Sequence, residues 1–187
     1  QARDAFLRAV EKDPDDAVLH RKAATLLARL GSFEDAERHA ARATELDPND
    51  LEAAVLLARV RRQLGDDEGF ERALRTETGA PRSLQAGILL VQHMLAGKRN
   101  AEALGTAEAL VETWPEEPNA YFALASVYEE NGEREQVEAV LLRAMAAFPD
   151  DLRFPIRLAQ LRRATGDVEG EIAAYELLLE RRPDHLG

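Results

Sequence analysis

Prolines recur at a nearly fixed interval along this chain of 187 residues. The intervals are 34, 33, 34, 34 and 34 residues, between Pro14, Pro48, Pro81, Pro115, Pro149 and Pro183. Each proline after the first follows a glycine by sixteen to eighteen residues, at Gly31, Gly65, Gly97, Gly132 and Gly166. Glycine readily ends a helix and proline cannot continue one, so each period predicts two helices. A fixed period of this length is typical of a repeat array.

The composition favours helices and excludes several classes of site. Hydrophobic residues make up 45% of the chain and charged residues 32%, whereas aromatic residues make up only 5%. No run approaches the eighteen or more apolar residues of a membrane span, so we expect no membrane insertion by this segment. Cysteine is absent, which excludes disulfides, thiolate metal sites and cysteine nucleophiles. The sequence therefore predicts an all-α, soluble array.

Residues 17–50 show the logic of one repeat. Its first helix, helix A, carries Ala23, Ala24 and Leu27 at the spacing of one helical face. Its second helix, helix B, carries alanines along the facing side, and short side chains let two helices approach closely. The Asp and Asn residues around Pro48 can cap the helix that follows.

The repeat at 118–151 resembles the tetratricopeptide repeat. Its matching residues are Tyr121, Leu124, Ala125, Tyr128, Gly132, Val137, Leu141, Ala144 and Pro149. The resemblance implies a right-handed superhelical solenoid of about five and a half antiparallel helix pairs. We expect a single array over 1–187, with a lone second helix at 1–16 and repeats at 17–50, 51–82, 83–117, 118–151 and 152–187.

Two departures from the pattern carry expectations of their own. Helix B of the second repeat should end early, near residues 76–79, and the superhelix should be least regular over 66–105. The chain opens on a second helix and stops without a polar capping helix. We therefore expect it to be a fragment of a longer array, and its many alanines and arginines favour a bacterial source.

Charge is distributed unevenly between the two kinds of helix. The net charge is -11, yet the helix A segments are net basic, while the helix B segments and the turns are net acidic. In tetratricopeptide arrays the A helices line a concave groove, so the resemblance implies a basic and partly apolar groove on an acidic body. The groove positions expected to bind a partner are Arg21, Lys22, Arg29, Val55, Arg59, Arg62, Leu84, Ile88, Val91, Met94, Phe122, Glu129, Arg153, Arg157 and Gln160. The alternative is that these arginines only solvate an exposed face and cover apolar neighbours with their stems.

Catalytic and metal-binding patterns are missing from the sequence. The four histidines form no ligand pair at i, i+4, and no phosphate loop, nucleophile elbow or EF-hand pattern occurs. His20 occupies the place of a large packed residue of helix A. We expect no enzyme activity, no cofactor and no metal. A pI near 4.9 and the lack of aromatics between the arginines also argue against nucleic acid.

Two functions remain open from the sequence. The first is a non-catalytic scaffold that binds an acidic or amphipathic protein segment, or a partner's domain, in the groove. The second is a periplasmic spacer in a bacterial exopolysaccharide synthesis or export protein, where the array recruits a polymer-modifying enzyme. The second function places the chain in the periplasm, whereas the absence of cysteine suits periplasm and cytoplasm equally.

Overall fold

Helices follow one another in pairs along the chain. The computed structural model describes residues 8–181, with side chains to residue 176. A first helix, α1, takes in residues 8–12. The A helices are α2 (Ala17–Arg29), α4 (Leu51–Gln63), α6 (Leu84–Ala96), α8 (Pro118–Asn131) and α10 (Arg153–Thr165). The B helices are α3 (Phe33–Leu46), α5 (Asp67–Leu74), α7 (Asn100–Thr113), α9 (Arg134–Ala147) and α11 (Val168–Arg181). The predicted all-α repeat fold is confirmed.

The chain divides into two compact units, Gln1–Gly87 and Ile88–Gly187, and the division falls within α6. The prediction of one array over the whole chain stays a prediction. In unit 1, α2 packs on α3, α3 on α4, and α4 on α5. In unit 2, α7 packs on α8, α8 on α9, α9 on α10, and α10 on α11.

Small side chains bring the helices of each pair together. Ala24, Ala36 and Ala43 are completely or almost completely buried in unit 1, and Ala125 and Ala144 are buried in unit 2. Leu27, Ala36 and Val60 form one core cluster with Phe33 and Leu56 at its edge. Because alanine has no atoms beyond Cβ, the facing backbones approach until the larger leucines and valines fill the remaining space.

The A helices begin at side-chain caps in the first three complete repeats. Asp16 accepts a hydrogen bond from the backbone N–H of Leu19, and Asp50 accepts one from Ala53, each at 3.0 Å. Ser83 accepts from Ala86 at 3.1 Å. These bonds satisfy backbone donors that have no partner inside the helix. The expected capping from the turn around Pro48 is confirmed at Asp50.

The A helices end in one recurring turn, and the third repeat forms it without glycine. Gly31, Gly65, Gly132 and Gly166 have φ between 75° and 78°, the left-handed conformation of a helix C-terminus. In the third repeat the turn residue is Lys98, with φ 56°, rather than the predicted Gly97. The Lys98 N–H bonds the Leu95 carbonyl, and the Arg99 N–H bonds the Met94 carbonyl, as in the other turns. The left-handed turn residue therefore recurs at nearly the same interval in every repeat, although in the third repeat the glycine lies one residue before it.

Helix α5 is short, as the sequence predicts. It ends at Leu74 after eight residues, slightly before the expected end near residues 76–79. An isolated antiparallel bridge joins Arg75 to Pro81 beyond it. The early end follows from the local sequence, because Thr76, Thr78 and Gly79 are poor helix formers.

Candidate functional site

The first candidate site is a concavity in unit 1, formed by α2, α4 and the start of α6 with the preceding Ser83. Its volume is about 610 Å³. Its lining residues, which we call the unit-1 concavity, are Arg21, Thr25, Leu51, Glu52, Val55, Leu56, Arg59, Ser83 and Gln85. Arg21 and Thr25 stand one turn apart on α2, as do Val55 and Arg59 on α4, so each pair faces the same side of its helix. The structure thus brings together the predicted residues Arg21, Val55 and Arg59.

The floor of the unit-1 concavity is apolar. Val55 and Leu56 are half-buried, and Leu51 at its edge is 44% exposed. Exposed apolar side chains in a concave surface gain free energy when another apolar group covers them. The concavity can therefore accept an apolar side chain of a partner.

The charges around this floor are partly compensated within the chain. Arg21 Nε lies 2.8 Å from Asp50 Oδ2, and Arg21 also pairs with Glu52. Arg59 is exposed, and no carboxylate in the described part of the chain pairs with it. Arg59 is thus available to an incoming anion, whereas Arg21 already has two carboxylates beside it.

A second, smaller concavity lies in unit 2 between α8, α9 and α10. It measures about 340 Å³ and contains the predicted residues Glu129, Arg157 and Gln160. Arg157 Nε lies 2.9 Å from Glu129 Oε1, and a second guanidinium nitrogen contacts the other carboxylate oxygen. This bidentate hydrogen bonding raises the pKa of Arg157 further above its ordinary value. The predicted cation is therefore neutralised by a predicted anion on the A helix of the preceding repeat.

Phe122 and Arg153 form a neighbouring surface of unit 2. The Arg153 guanidinium carbon lies 4.9 Å from the centre of the Phe122 ring. Arg153 also pairs with Asp151 at 2.6 Å and donates to the Asn119 side-chain oxygen at 3.1 Å. Hydrogen bonds from Arg153 lower the pKa of Asp151, so this carboxylate stays ionised. The guanidinium is held over the ring within the distance at which cation–π attraction acts.

The remaining predicted residues are divided between the surface and the core. Lys22, Arg29 and Arg62 are exposed, and Arg62 lies 5.5 Å from the centre of the Phe70 ring. Leu84 and Ile88 are half-buried on α6. Val91 and Met94 are buried, with exposures of 2% and 1%. These two side chains pack in the core and line neither concavity, so we exclude them from the candidate site.

The sequence reasoning missed a pair of arginines that join neighbouring repeats. Arg61 donates from Nε to Glu37 Oε1 at 3.0 Å and from a terminal nitrogen to the Gly69 carbonyl at 3.4 Å. Arg162 contacts the equivalent groups through its two terminal nitrogens, one donating to Glu138 Oε1 and the other to the Gly170 carbonyl at 3.1 Å. We call each set an arginine bridge, because it connects helix B of one repeat to both helices of the next.

A sequence signal for the arginine bridge does exist. The segments Gly65–Gly69 and Gly166–Gly170 both read Gly-Asp-x-Glu-Gly, and an arginine stands four residues before each. A Cβ added at Gly69 or Gly170 would lie under 3 Å from the capping aspartate and from the arginine stem. Only glycine leaves room for the arginine at this point.

Two histidines, the buried His20 and the half-buried His39, form a pair between α2 and α3. His20 is 7% exposed, and its Nε2 lies 3.0 Å from the Pro14 carbonyl oxygen. Since a carbonyl only accepts, His20 Nε2 carries the hydrogen. In neutral His20 the other nitrogen, Nδ1, then accepts from His39 Nδ1–H at 3.0 Å. This network fits the expected packing role of His20, and no group of three metal-ligating side chains occurs in the described residues.

Because of His39, the free energy of unfolding should fall when the solution is acidified below neutral pH. Burial lowers the pKa of His39 below its ordinary 6.5, and repulsion from His20 and Arg38 adds to the shift against a smaller opposing effect of Asp35. The unfolded chain then binds a proton at a higher pH than the folded chain. This contribution to stability is complete above pH 6.5 and declines as the pH falls from there to the folded pKa.

Urea denaturation between pH 7.5 and 5 tests this expectation. His39→Gln keeps an amide donor for His20 but cannot be protonated, so its free energy of unfolding should change less over this interval. Equal pH dependence in the two proteins would contradict the assignment to His39.

None of the helices within residues 8–181 is long and apolar enough to cross a bilayer.

Comparisons with known proteins agree with the repeat structure. Two tetratricopeptide-repeat profiles match, one over residues 17–60 and one over residues 94–155. The chain is 24% identical over 168 residues to the protein CTR9 homolog of Arabidopsis thaliana, and the match takes in 84% of this chain. It spans only 15% of the length of that relative.

Solved structures with the same fold cover most of the chain. YrrB, described as a tetratricopeptide-repeat protein with an unusual peptide-binding site, has a TM-score of 0.61 and 18% identity, over 98% of this chain and 95% of its own. MamA from Desulfovibrio magneticus RS-1 has a TM-score of 0.64 and 21% identity, over 91% of this chain and 97% of its own. These identities establish a shared fold and no more. The two matching profiles, together with the helix pairs and the recurring turns, show that this chain belongs to the tetratricopeptide-repeat family.

Proposed function

We propose that this chain is a non-catalytic protein-interaction scaffold whose unit-1 concavity binds an amphipathic segment with an acidic side chain. Tetratricopeptide repeats are generally protein-binding modules, and the comparisons support that role at the family level. The observation that carries the finer proposal is the unpaired, exposed Arg59 beside the apolar floor of Val55 and Leu56.

The chemistry of the concavity sets the chemistry of the partner. An apolar side chain would cover Val55, Leu56 and the exposed Leu51, and its burial would supply most of the affinity. A carboxylate next to it would meet the Arg59 guanidinium in a charge-assisted hydrogen bond. Because Arg21 already pairs with Asp50 and Glu52, we assign selectivity for acidic partners to Arg59 rather than to a broadly basic groove.

A selection experiment identifies peptides that bind this surface. A phage-displayed library of random twelve-residue peptides is selected on the immobilised wild-type chain. Peptides that contain Asp or Glu beside an apolar residue should be enriched. Their affinities are then measured by fluorescence polarisation for the wild type, for Arg59→Glu and for Arg72→Glu. Arg72 is an exposed arginine of α5 outside the concavity, so its reversal makes the same change in net charge.

Arg59→Glu should weaken binding by about fivefold to tenfold, because one attractive contact becomes repulsive. It should also flatten the loss of affinity between 50 and 500 mM NaCl, since salt screens the Arg59 pair. Arg72→Glu should bind as the wild type does. Equal affinity of Arg59→Glu and the wild type would contradict the proposal and favour the alternative, in which Arg59 only solvates the helix surface.

The role as a periplasmic spacer in exopolysaccharide export stays a prediction from the sequence. The contacts of the described residues favour the scaffold proposal, because they supply a concavity with an unpaired cation.

A further inference from the structure

Unit 2 contains a cleft on the other side of α8 from its predicted binding residues. The cleft measures about 440 Å³ and lies between α7, α8 and α9. We call it the unit-2 cleft, and its principal residues are Glu108, Glu112, Leu124, Tyr128, Val140 and Arg143. Leu124 and Tyr128 are one turn apart on α8. Phe122, Ser126 and Glu129 occupy the opposite face of that helix by the same helical spacing.

The unit-2 cleft lies where two other repeats have the arginine bridge. Tyr128 stands at the position of Arg61 and Arg162, because each of these three residues gives its carbonyl to the same turn hydrogen bond, whereas Leu27 and Met94 hold that position in the remaining two repeats. In those two repeats the arginine fills the space between the helices and contacts a glycine carbonyl. Here Gln136 stands in the place of the glycine, four residues after the turn residue Gly132. The arginine bridge is therefore replaced by a tyrosine, and an open volume remains beside it.

Two carboxylates border this volume without a cation of their own. Glu108 and Glu112 are exposed on α7 and are four residues apart, which places their Cβ atoms about 6 Å from each other. Among the described residues no lysine or arginine pairs with either of them. The guanidinium of Arg143, the cation of the cleft, lies instead over the Tyr121 ring at 5.4 Å. Burial raises the pKa of Tyr128, and the negative charges of Glu108 and Glu133 raise it further, so its phenol remains neutral.

The position of Glu112 is also unfavourable for the helix itself. It lies in the last turn of α7, where the helix dipole disfavours a negative charge, and no basic residue accompanies it there. Glu108 adds a like charge at i, i+4, which destabilises an isolated helix. The two charges therefore do not stabilise α7 locally.

The floor between the helices is apolar. Val111, Leu124 and Val140 are buried, with exposures of 3%, 5% and 8%. A hydrocarbon chain laid along them would lose contact with water on one side. A positive group at its end would reach the two carboxylates of α7.

We propose that the unit-2 cleft binds a lysine side chain from a protein partner, with the methylene stem on Leu124 and Val140 and the ammonium group between Glu108 and Glu112. The two carboxylates and the apolar floor beside them both match this side chain. The site is separate from the unit-1 concavity, so a scaffold of this kind would present two surfaces of different charge preference.

Chemical-shift titration of the ¹⁵N-labelled chain tests the proposal. The probe is blocked lysine, Nα-acetyl-lysine methylamide, and the matched control probe is blocked norleucine, which has the same stem without the cation. Blocked lysine should shift the backbone amides of residues 108–112 and 136–143 in a saturable manner, and blocked norleucine should bind at least about fivefold more weakly.

Matched variants separate the local effect from net charge. Glu108→Gln with Glu112→Gln should weaken blocked lysine at least about fivefold. Glu116→Gln with Glu117→Gln changes two exposed carboxylates of the nearby turn and should leave binding unchanged. The first double variant should melt at or above the wild-type temperature, so that a loss of binding is not a loss of folding.

Three outcomes would overturn the proposal. The first is equal binding of the two probes, and the second is equal weakening by the two double variants. The third is concentration-dependent self-association in sedimentation that only the Glu108 and Glu112 variant abolishes, because the occupant would then be a second copy of this chain.

Discussion

Replacing Phe154 with alanine should lower the free energy of unfolding of unit 2 by about 3–5 kcal/mol. Phe154 is fully buried, and its ring stacks on Phe122 with centres 4.2 Å apart and on Phe148 at 5.9 Å. The change removes a ring that its neighbours cannot replace, and it also removes the support of Phe122. Urea denaturation followed by Trp114 fluorescence measures the loss, because the single tryptophan of the chain lies in unit 2.

Phe154→Leu serves as the control for this prediction. Leucine keeps much of the buried apolar volume, so the loss should be about 1–2 kcal/mol. A loss below 1 kcal/mol for Phe154→Ala would show that the ring is not a central packing element of unit 2.

Gly69→Ala should lower the free energy of unfolding of unit 1 by about 1–2 kcal/mol, although alanine normally stabilises a helix. The added Cβ would lie 1.8 Å from Asp66 Oδ2 and 2.8 Å from the Arg61 stem. Asp66 caps α5 by accepting from the Gly69 N–H at 2.9 Å, and Arg61 forms the arginine bridge to Glu37. To make room for the methyl group, Asp66 or Arg61 must move, which weakens the cap of α5, the arginine bridge or both.

Gly105→Ala gives the opposite sign in the same experiment. Gly105 is exposed within α7, and no heavy atom outside its own helix would lie within 4 Å of an added Cβ. The alanine should raise stability by about 0.5–1 kcal/mol, because glycine loses more backbone freedom on folding. Thermal melting followed by circular dichroism measures both variants. Shifts of the same sign would contradict the steric role assigned to Gly69.

The helix boundaries were predictable because local chemistry fixes them. α8 starts at Pro118, because the first turn of a helix tolerates a proline, whose missing N–H would have no partner there. It ends at the left-handed Gly132. The early end of α5 was predicted for the same kind of reason. The turn residue that follows α6 was not predicted, because the sequence indicates Gly97 at that point. In the structure Lys98 takes the left-handed conformation instead, which keeps the interval between turns.

The candidate site was predictable only in part. Arg21, Val55 and Arg59 meet in the unit-1 concavity, because a repeat places equivalent positions side by side. The ion pairing of Arg21 and of Arg153 was not evident from the sequence, because Asp50 and Asp151 lie in turns outside the A helices. Those turns fold back beside Arg21 and Arg153. Val91 and Met94 follow the groove pattern in sequence and nevertheless pack in the core.

The sequence by itself determined that this chain forms helix pairs, where most of them begin and end, and which small residues lie between them. These properties depend on contacts within one repeat, and proline, glycine and alanine act there through the backbone. Only the tertiary structure decided which arginines remain free, which ones bridge neighbouring repeats, and where a cleft opens beside Tyr128. Those properties depend on side chains that are about 24 to 34 residues apart in the chain, and long charged side chains reach different partners from the same backbone position.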